Sequence, residues 1–325
     1  MTKQKILILG GTQFIGRTLV EQLLEDARYE VTLFNRQKTA AALFPQCKAI
    51  KGDRLTDDIR QIGREDWDYV IDCSCYFPAG LQAVLDNLTS KPTQYIFIST
   101  CSVYESSNPK TLKTEDATVL ECTAEQATDP GPSTYGNRKI ACEHILQASG
   151  ISYTILRPAL VFGPYDHTDR LYYWLFQVQN KSTLLMPDNG ERQFSITYVK
   201  DLVAIILESL TKADSGVFNV ISKSQTSIGD IVANAEKLLN RSPNHQSISP
   251  ALLSENNIAQ WTDMPLWIDG DHFTYENSKL LQSFDIELTP FEKAIAQTIE
   301  YYNVRGWDEP VYGMAEDRRL ELLGN

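Results

Sequence analysis

The sequence of 325 residues lacks features that several large classes of protein require. No run approaches the roughly 18 consecutive apolar residues of a membrane-spanning helix, so we expect no contact with a membrane interior. Basic residues are in the minority, because 30 lysines and arginines face 42 aspartates and glutamates, for a formal net charge of −12. That balance makes nucleic acid an unexpected partner, since binding a phosphate backbone requires a basic surface.

Cysteine occurs without the regular spacing of a disulfide framework. The N-terminal stretch ILILG is also too short for a signal peptide and leads directly into glycines. We therefore expect reduced thiols and a cytoplasmic protein. Cys73 and Cys75 stand one residue closer than a CxxC pair, so we interpret them as small residues at a strand end and expect no metal site. The six cysteines stand at positions 47, 73, 75, 101, 122 and 142.

The segment from Ile6 to Gly16, ILILGGTQFIG, is the most informative stretch that is present. Four apolar residues predict a buried strand, the glycines predict a tight turn, and the apolar periodicity of FIGRTLVEQLL predicts a helix. This order places a pyrophosphate at a helix N-terminus, where free N–H groups and the helix dipole favour anionic oxygens. Gly10 would make the turn, and Gly16 would allow close packing of the helix.

Strand and helix patterns alternate through the first half of the chain, which is typical of a parallel sheet covered on both faces. We predict a doubly wound, Rossmann-type α/β fold with a smaller, mixed C-terminal lobe. The dinucleotide-binding domain would comprise residues 1–165 and 195–222, and the substrate-binding lobe residues 166–194 and 223–325. Predicted strands are 5–9, 30–34, 47–51, 68–72, 94–98 and 152–156, and predicted helices are 14–26, 56–63, 79–89 and 133–149.

A second, independent pattern is the pair Tyr135 and Lys139, four residues apart in a stretch that we predict to be helical. That spacing puts both side chains on one helix face. A phenol has a pKa near 10 and is a poor base at neutral pH, but a nearby ammonium favours the phenolate. Together with the glycine turn, the pair indicates an enzyme that uses a nicotinamide cofactor and a tyrosine acid/base.

Six motifs follow one another in an order that resembles the extended short-chain dehydrogenase/reductase family of nucleotide-sugar epimerases, dehydratases and reductases. The GGTxFIG form of the glycine turn is similar to an atypical branch that includes the chloroplast stem-loop-binding proteins. The motifs are GGTQFIG at 10–16, GD at 52–53, ISTCSVY at 98–104, YGNRK at 135–139, RPALVFGP at 157–164 and YVKDL at 198–202.

The resemblance implies roles for individual residues. Tyr135 would be the general acid/base, Lys139 would bind the cofactor ribose and tune the tyrosine, and Thr100 would hydrogen-bond the reacting hydroxyl or carbonyl. Asp53 would bind the adenine amino group, and Pro158 and Val161 would lie near the nicotinamide. The complete set of predicted cofactor residues is Gly10, Thr12, Gln13, Phe14, Ile15, Gly16, Asn35, Arg36, Asp53, Ser74, Lys139, Pro158 and Val161.

The end of the second predicted strand, VTLFNRQKT, indicates which cofactor is used. An acid about 20 residues past the glycine turn usually holds a free ribose hydroxyl. This chain has Asn35 and Arg36 there, and an arginine pairs with a 2′-phosphate. We therefore favour NADP over NAD, with a solvated surface role for Arg36 as the alternative.

Three departures from the family pattern bear on the reaction. Gln13 replaces the middle glycine of the turn. Cys101 and Ser102 replace the Asp-Glu pair of sugar dehydratases, which disfavours dehydration. Leu160 and Phe194 replace an asparagine and an arginine that help to hold a nucleotide diphosphate, so a nucleotide-sugar substrate is in doubt. The candidate substrate residues are Cys101, Ser102, His167 and Arg192, although Arg192 could instead form a surface ion pair.

We therefore predict an NAD(P)-dependent epimerase or reductase that acts on a small, sugar-like hydroxyl or keto substrate. The alternative is a catalytically silent, cofactor-binding regulatory or RNA-associated protein on the same fold. Family members commonly dimerise through two helices per subunit, which correspond here to 79–89 and 133–149. We predict a homodimer in which Ile140, His144 and Gln147 form an outward stripe.

Overall fold

A seven-stranded parallel sheet forms the centre of the computed structural model, which describes residues 2–40, 42–106, 111–212, 216–268 and 273–324. Six of its strands are the predicted ones, and β10 joins them at one edge. The strands, in chain order, are β1 (Gln4–Leu9), β2 (Tyr29–Asn35), β3 (Lys48–Lys51), β4 (Tyr69–Asp72), β5 (Gln94–Ile98), β6 (Tyr153–Pro158), β7 (Leu160–Phe162), β8 (Thr183–Pro187), β9 (Phe194–Tyr198), β10 (Gly216–Val220), β11 (Lys223–Thr226) and β12 (Asn244–Ile248).

The helices are α1 (Phe14–Leu23), α2 (Pro78–Asp86), α3 (Tyr135–Ala148), α4 (Arg170–Asn180), α5 (Val199–Ser209), α6 (Ile228–Leu239), α7 (Pro250–Glu255), α8 (Ser278–Ser283), α9 (Phe291–Arg305) and α10 (Glu316–Leu323). The predicted helix at 56–63 is instead a 3₁₀ helix, Asp57–Arg64. Its short, polar sequence includes Gly63, which disfavours a regular α-helix. No helix in the ranges described is long and apolar enough to span a membrane.

The strand order of the central sheet is β10-β6-β5-β4-β1-β2-β3. The chain therefore winds outward in both directions from β1, and the order reverses between β1 and β4. This is the predicted doubly wound Rossmann topology. Ligands of such sheets bind at the carboxyl ends of the strands, beside the point of reversal.

Both faces of the sheet are covered, as the continuous apolar strands require. Ile6 and Ile8 of β1 pack on one face with α1 and α5, while Leu7 and Leu9 pack on the other with α2 and α3. Successive side chains of a strand point in opposite directions, so a fully apolar strand is stable only between two helical layers.

In the turn after β1, the backbone at the start of α1 packs directly against the backbone of the glycine turn. Gly10 and Gly11 have φ values of 115° and 95°, in the region that favours glycine. A Cβ on Gly16 would lie 2.7 Å from the nitrogen of Gly11, so α1 begins in contact with the turn. Gln13, in place of the usual glycine, has an extended backbone at φ −132°, which any residue can adopt. The left-handed position is the next one, Phe14, at φ 39°.

The C-terminal part contains two small sheets. β7 and β9 are parallel neighbours, β11 pairs with β9 in the antiparallel sense, and β8 pairs with β12. β7 and β9 thus leave the central sheet, although most of both fell within the ranges predicted for the dinucleotide-binding domain. The division into two domains stays a prediction, and residues 1, 41, 107–110, 213–215, 269–272 and 325 of the predicted ranges lie outside the described residues.

The helices expected at a dimer interface, α2 and α3, pack against each other. Ile140 was wrongly placed on an outward stripe, because it is 1% exposed and packs against Cys101 and Val103 of its own chain. His144 and Gln147 are exposed. The homodimer stays a prediction, and its interface would not include Ile140.

Candidate active site

A cleft of about 630 Å³ opens at the carboxyl ends of the central strands. Residues from every predicted motif of the first 165 positions line it, which brings together segments far apart in the sequence. Two predicted substrate residues, Cys101 and Arg192, are not part of its lining. The predicted residues that line it are Gly10, Thr12, Gln13, Phe14, Ile15, Gly16, Asn35, Arg36, Asp53, Ser74, Thr100, Ser102, Tyr135, Lys139, Pro158, Val161 and His167.

Tyr135 and Thr100 meet in the middle of this cleft. Tyr135 is the first residue of α3, and Thr100 follows the end of β5 and accepts a hydrogen bond from the backbone N–H of Ser102 at 3.1 Å. Burial raises the pKa of Tyr135, whereas its hydrogen bond with Thr100 and the charge of Arg170 lower it. The net effect raises the pKa of Tyr135, so the phenol is protonated at neutral pH and lies beside the hydroxyl of Thr100.

Lys139 lies one helical turn after Tyr135 and is 3% exposed. Its ammonium donates hydrogen bonds to the carbonyl oxygens of Cys75, at 2.9 Å, and Ile98, at 2.6 Å. It thus joins α3 to the loops that follow β4 and β5. The charges with the largest effect on the pKa of Tyr135 are those of Arg170 and Arg138.

The N-terminus of α1 faces the same cleft and is open to an anion. The side chain of Gln13 makes no capping hydrogen bond, and the first turn of α1 contains no acidic residue. α6, by contrast, begins with a complete capping box at Ser227 and Asp230. Uncapped N–H groups beside a glycine turn fit a pyrophosphate. A Cβ on Gly10 would lie 3.3 Å from Ser74, so the glycine keeps this cradle clear.

The end of β2 combines a hydrogen-bonded amide, that of Asn35, with two exposed cations. Asn35 donates to the carbonyl oxygen of Gly10 at 3.0 Å and accepts from the N–H of Gln37 at 2.9 Å. Arg36 and Lys38 are exposed and line the cleft. Neither pairs with a carboxylate among the described residues. This corner therefore offers positive charge, as the sequence predicted from Arg36.

An ion pair beneath the cleft was missed in the sequence. Arg54 donates to both carboxylate oxygens of Asp72, at 2.7 and 2.8 Å, and to Ser74 Oγ at 3.0 Å. The hydroxyl of Tyr95 donates to Asp72 at 2.9 Å, and Ser74 Oγ donates to the carbonyl oxygen of Leu9. The predicted cofactor residue Ser74 is thus fixed by an arginine. Burial would raise the pKa of Asp72, but Arg54 and the other hydrogen bonds hold it below its ordinary value.

The chain after residue 159 contributes both apolar and polar side chains to the cleft. Leu160 and Phe273 are apolar, whereas Thr168 is polar and Arg170 is basic. The ring of His167 contacts that of Phe14 edge-on, with 6.3 Å between the ring centroids. Phe194, at the family's arginine position, is fully buried in the core of the C-terminal part.

Two candidate substrate residues are engaged elsewhere. Cys101 is fully buried, and its thiol donates to the carbonyl oxygen of Arg157 at 3.2 Å. Arg192 forms an ion pair with Asp188 at 3.5 Å, which agrees with the surface alternative considered for it. Cys101 stands between the cleft residues Thr100 and Ser102 in the sequence, but neither Cys101 nor Arg192 lines the cleft.

The fold and the cleft are those of Rossmann-type α/β proteins. The model of the NAD dependent epimerase/dehydratase family matches residues 6–220, so the chain belongs to that family. A similar protein is the chloroplast stem-loop binding protein of 41 kDa b of Arabidopsis thaliana. It is 28% identical over 236 residues, which cover 67% of this chain and 59% of that protein. The chain thus matches less than two thirds of that relative's length.

Solved structures of nucleotide-sugar epimerases have the same fold. UDP-glucose 4-epimerase of Thermotoga maritima, with UDP-glucose, superimposes with a TM-score of 0.74 at 19% identity, over 93% of this chain and 99% of that one. UDP-glucuronic acid 4-epimerase of Bacillus cereus, in complex with NAD, gives a TM-score of 0.73 at 21% identity, over 94% and 100%. At these identities the comparison establishes the fold.

The ion pair beneath the cleft leads to a stability prediction. Asp72→Asn leaves the guanidinium of Arg54 buried without a counter-charge, which should cost about 3–5 kcal/mol in the free energy of unfolding. The double variant Asp72→Asn/Arg54→Met removes both charges and should recover most of that loss. Urea unfolding at pH 7 measures both. A double variant no more stable than the single one would contradict this account.

The same pair sets a pH dependence. Since the folded state lowers the pKa of Asp72, its contribution is fully present above the unfolded pKa of about 3.9 and is lost as the pH falls through the folded value. The stability of wild type relative to the double variant should therefore fall on acidification, which urea unfolding at successively lower pH measures.

Proposed function

We propose that the protein is an NADP-dependent epimerase or reductase of a sugar-like hydroxyl or keto compound. The observation that carries this proposal is the contact between Tyr135 and Thr100 in the cleft that the glycine turn and Lys139 also line. Residues 166–194 and 223–325 would supply the substrate side of the cleft, and residues 1–165 and 195–222 the cofactor side.

The chain's own residues would divide the chemistry among them. Bound NADP supplies hydride transfer. Thr100 would hold the reacting oxygen of the substrate, and Tyr135 would exchange a proton with that oxygen through its phenol. Lys139 donates to two carbonyl oxygens and so connects α3 with the chain that follows β4 and with the end of β5. Its ammonium would lie next to the cofactor ribose. Arg170 and Arg138 lower the free energy of the phenolate.

Several residues support a dinucleotide in this cleft. The uncapped N–H groups of α1 would bind the pyrophosphate, with Gly10 and Gly16 allowing its approach. Asp53 would bind the adenine amino group, and Pro158 and Val161 would contact the nicotinamide. Arg36 and Lys38 would bind a 2′-phosphate, since Asn35 has its amide engaged and offers no carboxylate to a ribose hydroxyl.

A second candidate function rests on the relative from Arabidopsis thaliana, whose name describes stem-loop binding. In that case the fold would serve as a cofactor-binding or RNA-associated protein. The net charge of −12 counts against an RNA partner. A salt titration with a stem-loop RNA separates the two candidates, because tight binding without any turnover would favour the second.

The catalytic proposal is tested by Tyr135→Phe. Wild type is first screened with NADP(H) against UDP-sugars, free sugars and their keto forms, and its best substrate is then used. Turnover should fall by about 100-fold or more, since acid/base catalysis contributes at least that much. The dissociation constant of NADPH should change little, because the lost hydroxyl acts on the substrate. Unchanged turnover would contradict the assignment of Tyr135.

The cofactor proposal is tested by titration with NADPH and NADH. Wild type should bind NADPH more tightly by about 10- to 150-fold, the range expected for a charge-assisted hydrogen bond of 1.5–3 kcal/mol. Arg36→Ala should remove most of this preference. Arg28→Ala is a matched control. Arg28 comes directly before the first residue of β2, at the opposite end of the strand from Arg36, and pairs with Asp26. Tighter binding of NADH by wild type would refute the role of Arg36.

A further inference from the structure

Five lysines and arginines of the described chain line the cleft, and four of them are accounted for. Arg36 and Lys38 lie at the end of β2, beside the proposed adenosine site. Arg54 forms a two-pronged ion pair with Asp72, and the ammonium of Lys139 donates to two carbonyl oxygens. The fifth, Arg170, belongs to α4 and forms no ion pair with a carboxylate of the described residues.

Arg170 is held in place from behind. Its Nε donates to Thr168 Oγ1 at 3.1 Å. Thr168 is fixed in turn, because its N–H and hydroxyl both donate to Asp166 Oδ1, at 2.9 and 2.6 Å. The two Nη atoms of Arg170 donate to no atom of the described chain. The Nε–H group of the guanidinium is therefore engaged, and its two Nη groups are available to bind an anion.

The element that carries Arg170 is rigid. Arg170 is the first residue of α4, most of whose side chains are buried. The preceding residue, Asp169, has a left-handed backbone at φ 52°, and its carboxylate accepts the N–H of Val311 at 2.8 Å. A cation that is already fixed binds a ligand at a lower entropic cost than a mobile one, because little side-chain entropy is lost on binding.

One carboxyl group, that of Asp166, lies near Arg170. Its Oδ1 accepts hydrogen bonds from Thr168 rather than from the guanidinium; burial raises its pKa, and the charge of Arg170 lowers it. His167 is exposed and packs on Phe14. Arg170 lines the same cleft as Tyr135, and its charge has the largest effect of any charge on the pKa of that phenol.

We propose that Arg170 binds an acidic group of the substrate, a carboxylate or a phosphate, close to the carbon on which Tyr135 acts. This inference rests on the proposed function and narrows its substrate to acidic hydroxyl or keto compounds such as sugar acids and sugar phosphates. Leu160, which lines the cleft, and Phe194, which is fully buried, stand at the two positions where the family resemblance implies an asparagine and an arginine that hold a nucleotide diphosphate.

The test uses the full chain saturated with NADPH, whose own fluorescence reports a second ligand. Three matched probes are titrated: glucose, glucuronate and glucose 6-phosphate. At least one acidic probe should bind about 10-fold or more tightly than glucose, and comparison of the two acids distinguishes a carboxylate site from a phosphate site. Because NADPH occupies the proposed 2′-phosphate corner, binding at Arg36 does not contribute.

Two substitutions of Arg170 complete the experiment. Arg170→Gln should abolish the preference for acids, Arg170→Lys should retain part of it, and both should bind NADPH as wild type does. Arg28→Gln, at the other end of the sheet, should keep the full preference. Acids that bind wild type no better than glucose, or a preference that survives in Arg170→Gln, would overturn the inference. Failure of wild type to bind NADPH would instead refute the proposed function.

Discussion

The contact between Gly16 and Gly11 is the constraint on which the rest of the cleft depends. With no side chain on either residue, α1 can begin against the backbone of the turn, and its uncapped end then points over the carboxyl end of β1. Any Cβ on Gly16 would displace this helix, since the atoms that it would meet are backbone. The same turn strains Phe14 into the left-handed region. The phenyl ring of Phe14 is thereby part of the core of the C-terminal part. The short segment around the glycine turn thus contributes both to the proposed cofactor side and to the core beneath the proposed substrate side.

Buried charges hold the reacting residues at the other strand ends. Glu143 of α3 pairs with Arg157 of β6 at 2.6 Å and also accepts a hydrogen bond from Ser99, the neighbour of Thr100. Arg157 also donates a hydrogen bond to the hydroxyl of Tyr104, and this hydroxyl in turn donates to the side-chain oxygen of Asn219 of β10 at 2.6 Å. This network connects α3 with β6, with β10 and with the residue that follows β5, and it leaves the side chains of Tyr135 and Thr100 free of structural bonds to it. Satisfied buried networks of this kind are rigid, whereas removal of one partner leaves an expensive unpaired group.

Local patterns were sufficient to predict the sheet, the turn and the main residues of the cleft. Strands such as ILIL are apolar on both faces and end in glycine, and the spacing of Tyr135 and Lys139 depends only on helical geometry. The features that were missed depend on contacts between distant segments. Nothing local shows that Arg54 reaches Asp72, that Ile140 faces its own chain, or that β7 and β9 form a separate sheet. Arg170 was overlooked for the same reason, because only the fold brings the start of α4 next to α3.

The central claim is that one cleft holds a nicotinamide dinucleotide beside Tyr135. Native mass spectrometry of the purified full chain, with NADP and NAD added in equal amounts, tests it most directly. The account predicts one dinucleotide per chain, with NADP in excess over NAD. The account would be contradicted if neither NADP nor NAD bound at concentrations that saturate other members of this fold class.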